Sequence, residues 1–141
     1  MTTRKVILWF AIAIPMGIFL TLTVCSIIFD ETLESHYQNK QEIIADKAIE
    51  RGWLPNNIPE SAHDIYERHE LDTNHGYGRF HFDKDERETF TSSMKKINPR
   101  DYRKKIWRKA PKLKGQNITW YCYDPFIYAI ENDEEVAHFF Q

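Results

Sequence analysis

Hydrophobic and polar positions divide the chain into one unbroken apolar run and a longer patterned region. From Val6 to Phe29 there are 24 consecutive residues without a charge. As a helix rising about 1.5 Å per residue the run reaches about 36 Å, against a hydrocarbon core of about 30 Å. It therefore predicts a transmembrane helix over 6–29. Pro15, Gly17, Thr21, Thr23 and Ser26 interrupt it, and lipid-embedded helices tolerate such residues. Two rivals fit less well. A cleaved secretory signal has an apolar stretch of about 7–15 residues and a small-x-small site, whereas this run is longer and no such site follows it. A lipoprotein box over Leu22-Thr23-Val24-Cys25 sets bulky Val24 before the cysteine, and the apolar run continues past it. Lipidation at Cys25 is the weaker alternative.

Beyond the run, Leu33, Tyr37, Ile44 and Ala48 recur at helical spacings, and Ile43 and Ile49 widen the stripe. This predicts a helix over 31–51 leaving the membrane, stopped by Gly52 in a left-handed cap. Trp53-Leu54-Pro55-Asn56-Asn57-Ile58-Pro59 then reads as an apolar turn, because each proline disfavours helix at the residue before it. Ser61 is placed to cap a second helix ending near Glu70, with Ile65 and Tyr66 inward. Asp72-Thr73-Asn74-His75-Gly76 is turn chemistry. Tyr77 to Phe82 alternates as a strand, Phe80 and Phe82 inward and Arg79 and His81 outward. Asp83 opens a third helix over 84–97 with a Phe90, Met94, Ile97 stripe. Residues 98–115 are basic and broken by Pro99 and Pro111. The remainder is strand-like: Ile118, Trp120 and Cys122 share one face, Phe126, Tyr128 and Ile130 another, and Val136 to Phe140 alternate again. Asp124-Pro125 and Asn132-Asp133 mark the turns between them.

Helices followed by a three-stranded meander predict an α+β domain of helices packed on an antiparallel sheet. The divisions expected are a cytoplasmic N-terminus at 1–5, the spanning helix at 6–29, a juxtamembrane helix at 30–52 and an extracytoplasmic domain at 53–141. Orientation follows from Arg4 and Lys5 before the helix against Asp30, Glu31 and Glu34 after it. Cytoplasmic flanks carry the excess of Lys and Arg, so the N-terminus is expected inside and the domain outside. Cys122 is the one cysteine beyond the apolar run, which excludes a disulfide within the domain. Stability must come from a hydrophobic core, feasible at this length.

Charge changes the picture further down the chain. Ten bases and one acid fall within 95–114. Lys95, Lys96, Arg100, Arg103, Lys104, Lys105, Arg108 and Lys109 interleave with Trp107 to give a candidate binding segment. By contrast, residues 30–94 hold 15 acids to 7 bases, and residues 115–141 five acids to none. Such a block is a footprint for an anionic partner. Outside the membrane the targets are lipid headgroups, wall polymers or an acidic protein face; nucleic acid is not expected there. Each base near an anionic bilayer contributes about 1 kcal/mol. A solvated loop that balances the domain's own acids is the plainer alternative.

Histidines at 63, 69, 75 and 81 with Asp72 and Asn74 between them invite a metal reading. Metal binding needs three or four ligands converging on one point, and this spacing does not ensure it, so no metal is expected. Asp72-x-Asn74-x-Gly76 resembles the start of a calcium loop but lacks its later acidic ligands. His69, Asp72, Thr73 and Asn74 are instead a candidate polar cluster stabilising the turn through side-chain-to-backbone bonds. Ser92-x-x-Lys95 and Ser93-x-x-Lys96 fit a serine–lysine spacing, but their companion motifs are absent. No cofactor motif and no enzymatic activity are expected, and Cys122 reads as core.

Gly52-Trp53-Leu54-Pro55, then Ile58-Pro59-x-Ser61-Ala62, Asp64-Ile65, His69 and Leu71-Asp72-Thr73-Asn74 carry a resemblance. This stretch is similar to a set of short bacterial membrane-anchored proteins with a WLP…P-x-S-A…H-x-x-D-T-N pattern, some of them encoded beside polymorphic-toxin loci. About 30 residues are covered, and the resemblance implies no established activity. It implies a bacterial inner-membrane protein and an immunity role toward a cognate toxin. The reading as a whole is a non-catalytic, single-pass protein presenting an interaction domain. Toxin immunity and contact with anionic lipid or wall polymer are its alternatives. Partner identity and oligomeric state are not legible.

Overall fold

The computed structural model describes residues 13–21, 32–102, 113 and 117–141. The chain divides into two units, Met1–Glu31 and Thr32–Gln141. In the first, residues 13–21 are helical with exposed side chains, and Thr21 donates its hydroxyl to the Gly17 carbonyl at 2.9 Å. Among the described residues no helix is long and apolar enough to cross a membrane; residues 6–12 and 22–29 of the expected span lie outside them.

The second unit is an α+β domain. Its elements are β1 Thr32–Asn39, α1 Lys40–Ala45, β2 His63–Glu70, β3 His75–His81, a 3-10 turn Lys84–Glu86, α2 Arg87–Ser92, β4 Lys95–Lys96, a second 3-10 turn Pro99–Tyr102, β5 Ile118–Tyr123, β6 Phe126–Glu131 and β7 Val136–Phe140. One antiparallel sheet runs in the order β1-β2-β3-β7-β6-β5-β4. The closing meander forms as its alternation requires, Cys122 facing Ile127 and Tyr128 facing Phe139 across the ladders.

Three expected helices are corrected. Residues 30–52 do not form a juxtamembrane helix, because β1 is an edge strand paired with β2 from Thr32 to Asn39. Leu33 and Tyr37 lie four apart, a spacing that fits a strand as well as a helix. Only Lys40–Ala45 is helical, capped by the Asn39 carboxamide oxygen on the Glu42 amide. The second expected helix is β2. Ser61 caps nothing; its hydroxyl accepts from the Asp83 amide at 2.9 Å. The third is cut to Arg87–Ser92 because Lys95 and Lys96 pair with β5, which carries Ile97 to the opposite side of the sheet. Gly52 does take a left-handed φ of 79°.

Each face of the sheet carries an apolar cluster. On one, Ile65, Phe80, Phe139, Tyr128 and Ile130 meet Ile43, Ala48, Leu54, Ile58 and Phe90 from the covering segments. On the other, Tyr77, Ile127, Ala129 and Phe140 are overlaid by Ile97, Tyr102 and Leu113. Gly78 is required where it stands, because a Cβ there would collide with the Phe139 ring and the Tyr66 carbonyl.

Candidate functional site

Strand alternation sends successive β2 side chains to opposite faces, and this sorts the polar residues of 63–81 into two groups. Ile65, Glu67 and His69 point into the first core; Tyr66, Arg68 and Glu70 point to the outer face. Inward, Glu67 is 1% exposed and His69 3%, and Glu67 Oε1 bonds His69 Nδ1. The Trp53 ring lies on the His69 ring with centroids 4.0 Å apart, and the Arg51 guanidinium lies 3.9 Å above Trp53. Arg51 is also paired with Asp46, which accepts the Tyr37 hydroxyl at 2.7 Å. This stack ties the loop after α1 to β1 and β2.

Burial dominates the electrostatics of the stack. It pushes the Glu67 carboxyl up to about 8, against partial relief from Ser35 and Arg51. It lowers His69, with Arg51 acting in the same direction. The Tyr37 bond holds Asp46 below its usual value, while desolvation raises Tyr37 itself. A protonated Glu67 donates to His69 Nδ1, so both members of the buried pair are neutral near pH 7. Glu67 Oε2 and His69 Nε2 have no hydrogen-bond partner among the described residues.

The outer face of β1–β3 carries a different group. Tyr66 is half-buried, its ring 5.0 Å from His36 and 6.2 Å from Tyr77. Around it stand the Arg68–Glu34 pair at 3.4 Å and the His81–Asp64 pair at 3.7 Å. His63 stacks on His81 at 5.6 Å, and Arg79 is exposed. Beneath, the Tyr77 hydroxyl and His138 Nδ1 are 2.9 Å apart, and His138 Nε2 lies 2.7 Å from Glu131 Oε1. Desolvation raises Tyr77 to about 12 and lowers His138, against the pull of Glu131.

The polar cluster expected around His69 does not come together. His69 is buried under Trp53, whereas Asp72, Thr73 and Asn74 are exposed in the β2–β3 turn. There Thr73 donates to Glu70 at 3.0 Å, and Asn74, at φ 53°, donates its amide to the Glu70 carbonyl at 2.9 Å. The turn forms where expected, but through a side-chain pair and a backbone bond rather than side-chain-to-backbone bonds, and His69 has no part in it. His69 lies in the core, His63 and His81 stack on the outer face and His75 opens β3, and no group of three metal-ligating side chains occurs among the described residues. Of the basic segment, Lys95 and Lys96 are exposed on β4 and Arg100 on the second 3-10 turn. Arg103, Lys104, Lys105, Trp107, Arg108 and Lys109 lie outside the described residues.

Tyr66, Glu67, Trp53 and Arg79 were not expected at a site. The available signal was the alternation from Asp64 to Glu70, obscured by charged side chains at inward positions. A family model described as the YbbD head domain matches residues 31–81, the segment from β1 through β3 that holds both the buried stack and the Tyr66 face. No curated protein and no solved structure matches the chain.

Proposed function

We propose that this chain is a non-catalytic interaction module tethered to the bacterial inner membrane, and that its domain binds a protein partner through the outer face of β1–β3. The observation that carries this reading is the half-buried Tyr66 between His36 and Tyr77, rimmed by the Arg68–Glu34 and His81–Asp64 pairs. An aromatic centre within a charged rim is the anatomy of interfaces, where a few Tyr, Trp and Arg side chains carry most of the affinity. The family match spans the three strands that carry this surface. The tether and orientation rest on the uncharged run over 6–29 and its flanking charges.

Photo-crosslinking tests the surface in cells. A benzophenone side chain at position 66 or 79 should yield a discrete adduct that the same probe at Glu88, on α2, does not. Tyr66→Ala should weaken capture of that adduct's protein about 30-fold, as removal of a central aromatic costs about 2 kcal/mol. Equal adducts at all three positions would discard the surface. Phosphatase and fluorescent-protein fusions at Gln141 test the orientation, and an inactive phosphatase with a bright fluorophore would overturn it.

A second reading keeps the basic segment as an anionic contact, favoured by the exposed Lys95, Lys96 and Arg100. Binding to anionic vesicles that falls steeply with salt, and on changing Arg103, Lys104 and Lys105 together to Ala, would distinguish it. If the crosslinked partner is a toxin whose killing the chain suppresses, the module is an immunity protein.

A further inference from the structure

We infer that the outer edge of β1 pairs with the same edge of a second copy, joining two domains into one continuous antiparallel sheet. The inference goes beyond the docking face and does not rest on it. β1 is a terminal strand of eight residues, whereas the opposite edge, β4, has two. A long edge presents a row of backbone groups that template another strand.

The sheet fixes which groups those are. Gly76 and Gln141 exchange both backbone bonds, at 3.3 and 3.0 Å, so even-numbered residues of β3 bond toward β7. In an antiparallel ladder bonding direction alternates along each strand. Odd residues of β3 therefore bond toward β2, residues 66, 68 and 70 bond back to them, and residues 65, 67 and 69 bond toward β1. Leu33, Ser35 and Tyr37 answer these, which leaves Thr32, Glu34, His36 and Gln38 directed outward. The Gln38 amide already donates to the Glu42 carboxylate at 2.7 Å. Among the described residues, the N–H and C=O of Glu34 and His36 make no hydrogen bond on this outward side.

A two-fold axis at Ser35 satisfies all of them. It sets Glu34 against His36 of the second copy and the reverse, giving four backbone bonds. On the outer face each carboxylate meets an imidazole N–H, an acceptor against a donor. On the other face Leu33, 43% exposed, lies against Tyr37 of the second copy. An axis at Glu34 would oppose two carboxylates. An axis at His36 would direct Glu34 onto the Gln38 amide already used. Of these three registers, the one at Ser35 sets carboxylate against imidazole and pairs the N–H and C=O of both Glu34 and His36.

The full chain in detergent, with Cys25 and Cys122 changed to Ser, provides the test. In this register the two Ser35 Cα atoms form a non-bonded pair about 4.5 Å apart, within disulfide reach, while the two Leu33 Cα atoms are roughly 13 Å apart along the strands. Ser35→Cys should oxidise to a covalent dimer at least about tenfold faster than Leu33→Cys. Sedimentation gives the second arm, independent of any packing change at position 35. Glu34→Lys and His36→Glu should each weaken the dimer about tenfold, since the first removes two carboxylate–imidazole contacts and the second sets carboxylates opposite one another. The double variant should return to near the starting affinity. A monomer at all concentrations, equal crosslinking at 33 and 35, or single variants that dimerise like the parent would overturn the inference.

Discussion

Replacing Glu67 by Gln isolates the energetic effect of a carboxyl held in the first core. The side chain is 1% exposed, and burial moves its titration from 4.5 to about 8. Between these values the folded domain keeps a proton that the unfolded chain releases. Stability from this group is therefore complete below about pH 4.5 and declines by about 1.4 kcal/mol per pH unit until about pH 8. Across the interval the loss is at most about 5 kcal/mol. The carboxamide of Glu67→Gln keeps the shape and can donate an amide hydrogen to His69 Nδ1, but does not titrate. His69 acts in the opposite sense: burial lowers it, so its contribution is present above its ordinary 6.5 and lost as pH falls through the folded value. Both proteins share that acid limb, so it cancels in their difference. Urea unfolding of the full chain in detergent, followed by near-ultraviolet circular dichroism, should give similar stabilities near pH 5. Near pH 8.5 the Gln variant should be the more stable by about 3–5 kcal/mol. Parallel stability curves for the two proteins would refute the buried neutral pair.

Three other perturbations probe the frame around the site, each read by the same unfolding assay. Gly78→Ala drives a methyl into the Phe139 ring and the Tyr66 carbonyl, and should cost about 2–4 kcal/mol, at or above the usual range for overpacking because backbone is involved. Arg87→Ala removes a guanidinium that reaches Glu135, Asn132 and the Glu131 carbonyl from α2. It should cost about 2–3 kcal/mol and loosen the β6–β7 turn in hydrogen exchange. Tyr128→Phe deletes a buried hydroxyl that donates to Asn57 at 2.8 Å, with an expected loss of about 1–2 kcal/mol and no change in sheet content.

The meander and the α+β class were legible because β5, β6 and β7 alternate cleanly and their turns carry Asp124-Pro125 and Asn132-Asp133. β1 and β2 were not. Leu33 and Tyr37 satisfy both periods, and β2 places a carboxylate and an imidazole where alternation calls for apolar groups. That substitution holds only because Glu67 and His69 are joined as a neutral hydrogen-bonded pair beneath Trp53, a tertiary fact no local pattern contains. Misreading β2 as a helix also turned Tyr66 inward, which hid the outer face. β4, two residues long, is set by its pairing with Cys122 and Tyr121 and has no periodicity to read. The turn residues Asp72 to Asn74 were legible because their bonds are local.

The sheet order has a bearing on what the family-matched segment can be by itself. β3 pairs on one side with β2, its neighbour in sequence, and on the other with β7, where His81 faces Val136 and Tyr77 faces Phe140. Residues 31–81 therefore lack one flank of their third strand. The groove over Gly78 is roofed by Phe139, a side chain the segment does not own. Its inner strand is completed by residues far along the chain, a closure of high contact order that is slow to form. In this chain β7 supplies that missing wall, and with it the ring that covers the glycine.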